Sequence, residues 1–117
     1  MLNVAGIDIG STYTKAIALN DKREVVGTAV SKTGFKLAQA AEAAFEELLK
    51  NSGLDRTAIT YVASTGYGRY TVPFRNTQVT ELTAHARAAV HLFPDTRTIL
   101  DIGGQDIKAI KIHAEGR

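Results

Sequence analysis

At 117 residues, 44% of them hydrophobic and 22% charged, the chain has an ordinary globular balance and the length for one modest core, which excludes a disordered polymer. A net charge of +2, with lysine and arginine scattered among acids, leaves no basic stripe to track a nucleic-acid backbone. The absence of cysteine excludes disulfides, thiolate metal sites and cysteine-held iron–sulfur clusters within these residues. The apolar run at the start contains Asp8 and is too short for a membrane span, and no basic stretch marks a signal peptide, so the cytoplasm is the expected compartment and no membrane partner is expected.

In chain order, Asn3 to Ile9 reads as a buried strand that Gly10-Ser11-Thr12 interrupts, and Thr14 to Leu19 reads as a second strand. The cluster Asn20-Asp21-Lys22 supplies turn chemistry before a third strand, roughly Glu24 to Val30, completing an antiparallel meander. From Lys36 to Asn51 the period becomes helical, with Leu37, Ala41, Ala44, Phe45, Leu48 and Leu49 on one face, and Ser52-Gly53 ends it. Ile59 to Ala63 is a short apolar strand running into "STGYGR". Glu81 to Leu92 is a second helix, broken by Phe93-Pro94-Asp95. Thr98 to Ile102 and Ile107 to Ile112 form a final hairpin.

Three strands, helix, strand, helix and hairpin predict an α/β fold with a mixed sheet and helices packed on it. The final hairpin repeats the first. With Asp8 set against Asp101 and no gap, Ile9 matches Ile102, Gly10 matches Gly103, Lys15 matches Lys108, Ala16 matches Ala109 and Ile17 matches Ile110. This reads as two copies of one lobe, the second only begun where the sequence stops. A hairpin detached from the rest of its sheet is expected to expose edges that invite pairing with another chain.

Tight strand-turn-strand loops with glycine and small hydroxyl residues let backbone N–H groups converge on phosphate oxygens. Gly10, Ser11 and Thr12 supply one loop, and Gly103 and Gly104 another. A strand-end carboxylate, Asp8 or Asp101, suits hydrated magnesium, which prefers one or two carboxylates plus waters and phosphate oxygens. Lys15 or Lys108, aimed inward, would neutralise charge on a phosphoryl group. The plain alternative is a hairpin with turn-compatible residues and an edge aspartate. Two copies in register favour phosphate binding, and neither a P-loop nor a G-x-G-x-x-G fingerprint occurs to explain the glycines otherwise. Arg69 is either a phosphate or partner contact or a solvated turn residue. His85 falls one helical turn after Glu81, while His91 and His113 read as ordinary surface residues.

The two hairpins resemble the phosphate loops of the actin, sugar-kinase and heat-shock-chaperone ATPases, in which ATP lies between two ribonuclease-H-like lobes. More narrowly, "GIDIGSTYTK", "TGYGR", "TELTAHARAA" and "DIGGQDIKAI" resemble the BadF/BadG/BcrA/BcrD family of dehydratase activators and benzoyl-CoA reductase ATPase subunits. The resemblance implies a ribonuclease-H-like lobe over 1–95, including the connecting helix 81–92, and the opening hairpin of a second lobe over 96–117. It implies Asp8, Gly10, Ser11, Thr12 and Lys15 in the first phosphate loop, and Asp101, Gly103, Gly104 and Gln105 in the second. ATP and Mg2+ are the implied ligands, the metal held through water by Asp8 and Asp101. Glu81 is the implied positioner of the attacking or magnesium-bound water, with helix capping as its plain alternative.

The family further implies a homo-oligomer whose subunits share an iron–sulfur cluster through cysteines absent from this sequence, and ATP-driven electron transfer to acyl-CoA dehydratase or reductase subunits. The alternatives are a sugar-type kinase of the same fold, which would need a general base near an acceptor hydroxyl, and a non-catalytic module retaining the fold.

Overall fold

A strand buried on one face alternates, and the first strand does so strictly: Asn3, Ala5, Ile7 and Ile9 are buried while Val4, Gly6 and Asp8 are only partly so. The structure, a computed structural model, describes residues 2–102 and 107–112, with the backbone alone described at 101, 102, 107 and 108. Strand β1 (Asn3–Ile9) pairs antiparallel with β2 (Tyr13–Asn20), which pairs antiparallel with β3 (Val25–Lys32). Helix α1 (Leu37–Ser52) then carries the chain back so that β4 (Ile59–Thr65) lies parallel to β1, as a parallel neighbour requires a crossover. The two-residue β5 (Thr77–Gln78) adds a parallel edge, and the sheet order is β3-β2-β1-β4-β5.

Helix α1 lies over β1, β2 and β3. Its buried face, Ala40, Ala41, Ala44, Phe45, Leu48 and Leu49, meets Ala5, Ile7, Ile9, Ala16, Ala18, Ala29 and Val62 of the sheet. Alanine on both sides lets helix and sheet approach closely, so the large contributors are few, and burying Phe45, Ile7, Ile9 or Leu48 is worth about 2 kcal/mol each. The helix ends where expected: Gly53 takes the left-handed conformation (φ 72°) and donates to the Leu49 carbonyl. The ring of Phe45 stacks on Phe74 with centroids 4.7 Å apart, and the Arg56 guanidinium lies 4.8 Å and 5.2 Å from the two centroids. Arg56 also donates to Glu42 and Glu46, at 2.7 Å and 2.9 Å.

The chain divides into two compact units, Met1–Val79 and Thr80–Arg117. The second holds α2 (Glu81–Leu92) and a two-stranded sheet of β6 (Thr98–Ile102) and β7 (Ile107–Lys111). Ala86 of α2 packs with Ile110 and Ile112, and Val90 and Ile99 flank them. Thr80 is the N-cap of α2, its hydroxyl accepting from the Thr83 amide at 3.2 Å, and Glu81 is the acidic residue of the first turn, where the helix dipole favours it.

The predicted elements are all present. The third strand starts one residue later than expected and runs to Lys32, because Ser31 and Lys32 continue the ladder opposite Thr14 and Tyr13. The two terminal hairpins share one cross-strand register. Asp8 stands opposite Lys15 and Ile7 opposite Ala16 in the first, Asp101 opposite Lys108 and Leu100 opposite Ala109 in the second.

Candidate functional site

Strand β1 delivers Asp8 one residue from its end, on the sheet face opposite α1, since its neighbours Ile7 and Ile9 belong to the core under the helix. The chain then reverses. The Gly10 amide donates to the Tyr13 carbonyl at 3.0 Å, which leaves Ser11 and Thr12 exposed at the tip. The reversal is anchored from β3's end. The Thr33 amide donates to the Thr12 carbonyl at 2.9 Å, and the Thr33 hydroxyl donates to the Gly10 carbonyl at 2.7 Å. Thr14 and Thr33 place their hydroxyl oxygens 3.0 Å apart in a buried setting. The Thr33 proton is committed to Gly10, so Thr14 donates and a directed chain runs Thr14 to Thr33 to Gly10.

The carboxylate of Asp8 lies between two neighbours. Lys15, its cross-strand partner, places Nζ 3.4 Å from Oδ2, with the lysine side chain about half exposed (52%) and the aspartate 33%. Such a pair contributes under about 1 kcal/mol to stability. On the other side comes the loop after β4. Asp8 pairs in parallel register with Thr65, and the next residue, Gly66, adopts φ +90°. A Cβ on Gly66 would overlap Asp8 Oδ1 and come within 2.6 Å of the Ile9 carbonyl oxygen, a place only glycine can occupy. The Gly68 amide donates to that same carbonyl at 3.0 Å.

The "TGYGR" segment is therefore the wall beside Asp8 and is held there from within. Ser64 Oγ donates to the Arg69 carbonyl at 2.6 Å, and the Arg69 guanidinium donates to the Gly66 carbonyl at 3.1 Å while lying 5.0 Å from the Tyr70 ring centroid. Arg69 thus has an assignment inside its own loop. The hydroxyl of Thr65 is buried and, among the described residues, has no hydrogen-bond partner.

The structure brings Asp8, Gly10, Ser11, Thr12 and Lys15 together at one end of the five-stranded sheet. Glu81 and Asp101 lie in the second unit, at the start of α2 and on β6 respectively. Gly103, Gly104, Gln105 and His113 lie outside the described residues, and His91 is exposed near the end of α2. Thr33 was not singled out from the sequence. Thr65 and Gly66 were read only within "TGYGR", as part of a loop after a strand, and their nearness to Asp8 is set by a pairing across 57 residues that local pattern does not reveal.

These residues fit a hydrated magnesium ion and the phosphates it accompanies. A partly exposed carboxylate, an ammonium beside it, a glycine that leaves the carboxylate's other oxygen uncovered by any Cβ and an unpartnered buried hydroxyl form an oxygen donor set of the kind hydrated magnesium takes. Among the described residues no three His, Cys, Asp or Glu side chains gather into an all-protein metal cage, and no helix is long and apolar enough to cross a membrane.

The model of the BadF/BadG/BcrA/BcrD ATPase family matches residues 5–117. The chain is 38% identical over 111 residues to the activator of lactoyl-CoA dehydratase of Anaerotignum propionicum, covering 95% of this chain and 42% of that protein. Its fold matches the crystal structure of component A of the (R)-2-hydroxyglutaryl-CoA dehydratase of Acidaminococcus fermentans with a TM-score of 0.90 and 32% identity, over 97% of this chain and 44% of that one. It matches the activator of the 2-hydroxyisocaproyl-CoA dehydratase from Clostridium difficile, solved with bound ADPNP, with a TM-score of 0.88 and 38% identity, over 98% and 42% of the two chains. The chain thus spans about two fifths of the length of the relatives it matches.

Proposed function

The chain belongs to the BadF/BadG/BcrA/BcrD ATPase family, and from that premise we propose that it is the N-terminal, phosphate-gripping part of an ATPase activator that drives electron transfer to a 2-hydroxyacyl-CoA dehydratase or benzoyl-CoA reductase. The observation that carries this reading is the match over 98% of the chain to a dehydratase activator solved with an ATP analogue. The shared register of the two hairpins supports it, since each places an aspartate opposite a lysine.

In this reading the first loop holds phosphate oxygens through the backbone of Gly10, Ser11 and Thr12, kept in shape by the Thr14–Thr33–Gly10 chain. Asp8 and Asp101 hold the waters of magnesium, and Gly103, Gly104 and Gln105 form the opposing loop. Magnesium, when bound, neutralises charge developing on the phosphates. Lys15 faces the phosphates with its ammonium, and Glu81 orients the attacking water. The 1–95 and 96–117 lobe division, a homo-oligomeric parent with an iron–sulfur cluster, acyl-CoA enzyme partners and cytoplasmic location complete the proposal.

The test is electron delivery by the full-length protein to its dehydratase or reductase partner, with and without ATP. ATP-dependent reduction of the partner is the expected result. Phosphoryl transfer to a sugar hydroxyl without such reduction would overturn the reading.

A further inference from the structure

We propose that Thr65 is a positioning residue for Asp8: in the magnesium–nucleotide state its hydroxyl donates to the Asp8 carboxylate, fixing the oxygen that faces the ion's waters. The inference rests on the reading of Asp8 as a magnesium-water holder. Three observations carry it.

The first is placement. Thr65 is paired with Asp8 in the parallel ladder of β1 and β4, so the two side chains leave the sheet on the same face from adjacent strands. Neighbouring strands run about 5 Å apart, within reach of a hydroxyl turning about χ1. The second is the unmade bond. Thr65 Oγ1 is shut away from solvent and has no partner among the described residues, a state that costs free energy and calls for an explanation. The other such atom, Ser31 Oγ, belongs to β3, two strands from β1. The third is the state of Asp8. Its Oδ2 is turned to Lys15, and its Oδ1 is hemmed by Gly66, the residue after Thr65. A carboxylate that releases the lysine to engage an ion needs a second donor to hold its orientation, as ligating carboxylates generally have. Thr65 is the unspent donor beside it.

A purely structural threonine makes the opposite expectation, because it would already be bonded within the fold. Thr65→Val keeps shape and removes only the hydroxyl, and Thr65→Ser restores it. In the full-length protein, the magnesium concentration needed for half-maximal binding of ADPNP should rise on the order of tenfold in Thr65→Val, as for loss of an outer-shell partner, and return in Thr65→Ser. The melting temperature without nucleotide should be unchanged or higher in Thr65→Val, since no existing bond is lost.

An unchanged magnesium midpoint in Thr65→Val, while Asp8→Asn abolishes magnesium-dependent binding, overturns the role of Thr65 and leaves the role of Asp8 standing. A magnesium midpoint indifferent to Asp8→Asn overturns the reading of Asp8, and this inference with it.

Discussion

Gly66, at φ +90°, stands where a side chain would overlap the carboxylate of Asp8, so the loop after β4 and the end of β1 are fitted to each other at a single atom's tolerance. The close approach follows from the parallel pairing of β1 with β4, which stops at Asp8 and Thr65 and leaves Gly66 to turn across the strand end. The same contact gives the site its shape.

Replacing Gly66 with alanine therefore carries two costs, the left-handed backbone and the collision with Asp8 and Ile9. Thermal or denaturant unfolding should show a loss of about 2 to 3 kcal/mol. Gly34 is the control: at φ +69° a Cβ there would meet nothing within 4 Å, so Gly34→Ala should lose about 1 kcal/mol. Equal losses in the two variants would show that the Asp8 contact contributes nothing.

Thr33→Val should strip the anchor from the first loop. It removes the donor to the Gly10 carbonyl and the acceptor for Thr14, leaving buried polar atoms unpaired. The expected loss is about 1 to 3 kcal/mol in unfolding, with Thr33→Ser close to wild type. Weaker ADPNP binding by Thr33→Val, compared under conditions where both variants are folded, would tie the loop's shape to its grip.

Acid should loosen the edge where α1 meets the approach to β4. Hydrogen bonding from Arg56 holds the Glu42 carboxyl below its ordinary value of 4.5. A carboxyl lowered in the folded state stabilises at pH above 4.5, and that contribution is lost as pH falls through its lowered value. Both side chains are nearly half exposed, so solvent screening keeps the effect under about 1 kcal/mol. Glu42→Gln should be slightly less stable than wild type at neutral pH, and the difference should vanish under strong acid. A difference that persists there would assign the loss to packing.

The sequence disclosed the elements whose signal is local. Alternation along β1, the apolar face of α1 with its glycine stop and the span of α2 were all readable, because each is written in neighbouring residues. The in-register repeat of "DIG" was readable too, and the shared Asp–Lys pairing gives it structural meaning. The extension of β3 to Lys32 was not, because backbone pairing rather than apolar pattern sustains Ser31 and Lys32. The significance of Thr33 and Thr65 stayed hidden for a related reason. It lies in what long-range pairing sets beside them, Gly10 in one case and Asp8 in the other. Asp8 and Lys15 were legible because one hairpin contains both.

The proposed function holds the phosphates from two sides with two related hairpins, each with an aspartate opposite a lysine. Its decisive test is calorimetric titration of magnesium–ADPNP into the full-length protein, with Asp8→Ala and Asp101→Ala beside wild type. Binding lost in both variants, each still folded by circular dichroism, is the result expected of a two-sided clamp. Binding unchanged in both would contradict it and leave the repeated hairpin as shared architecture without shared chemistry.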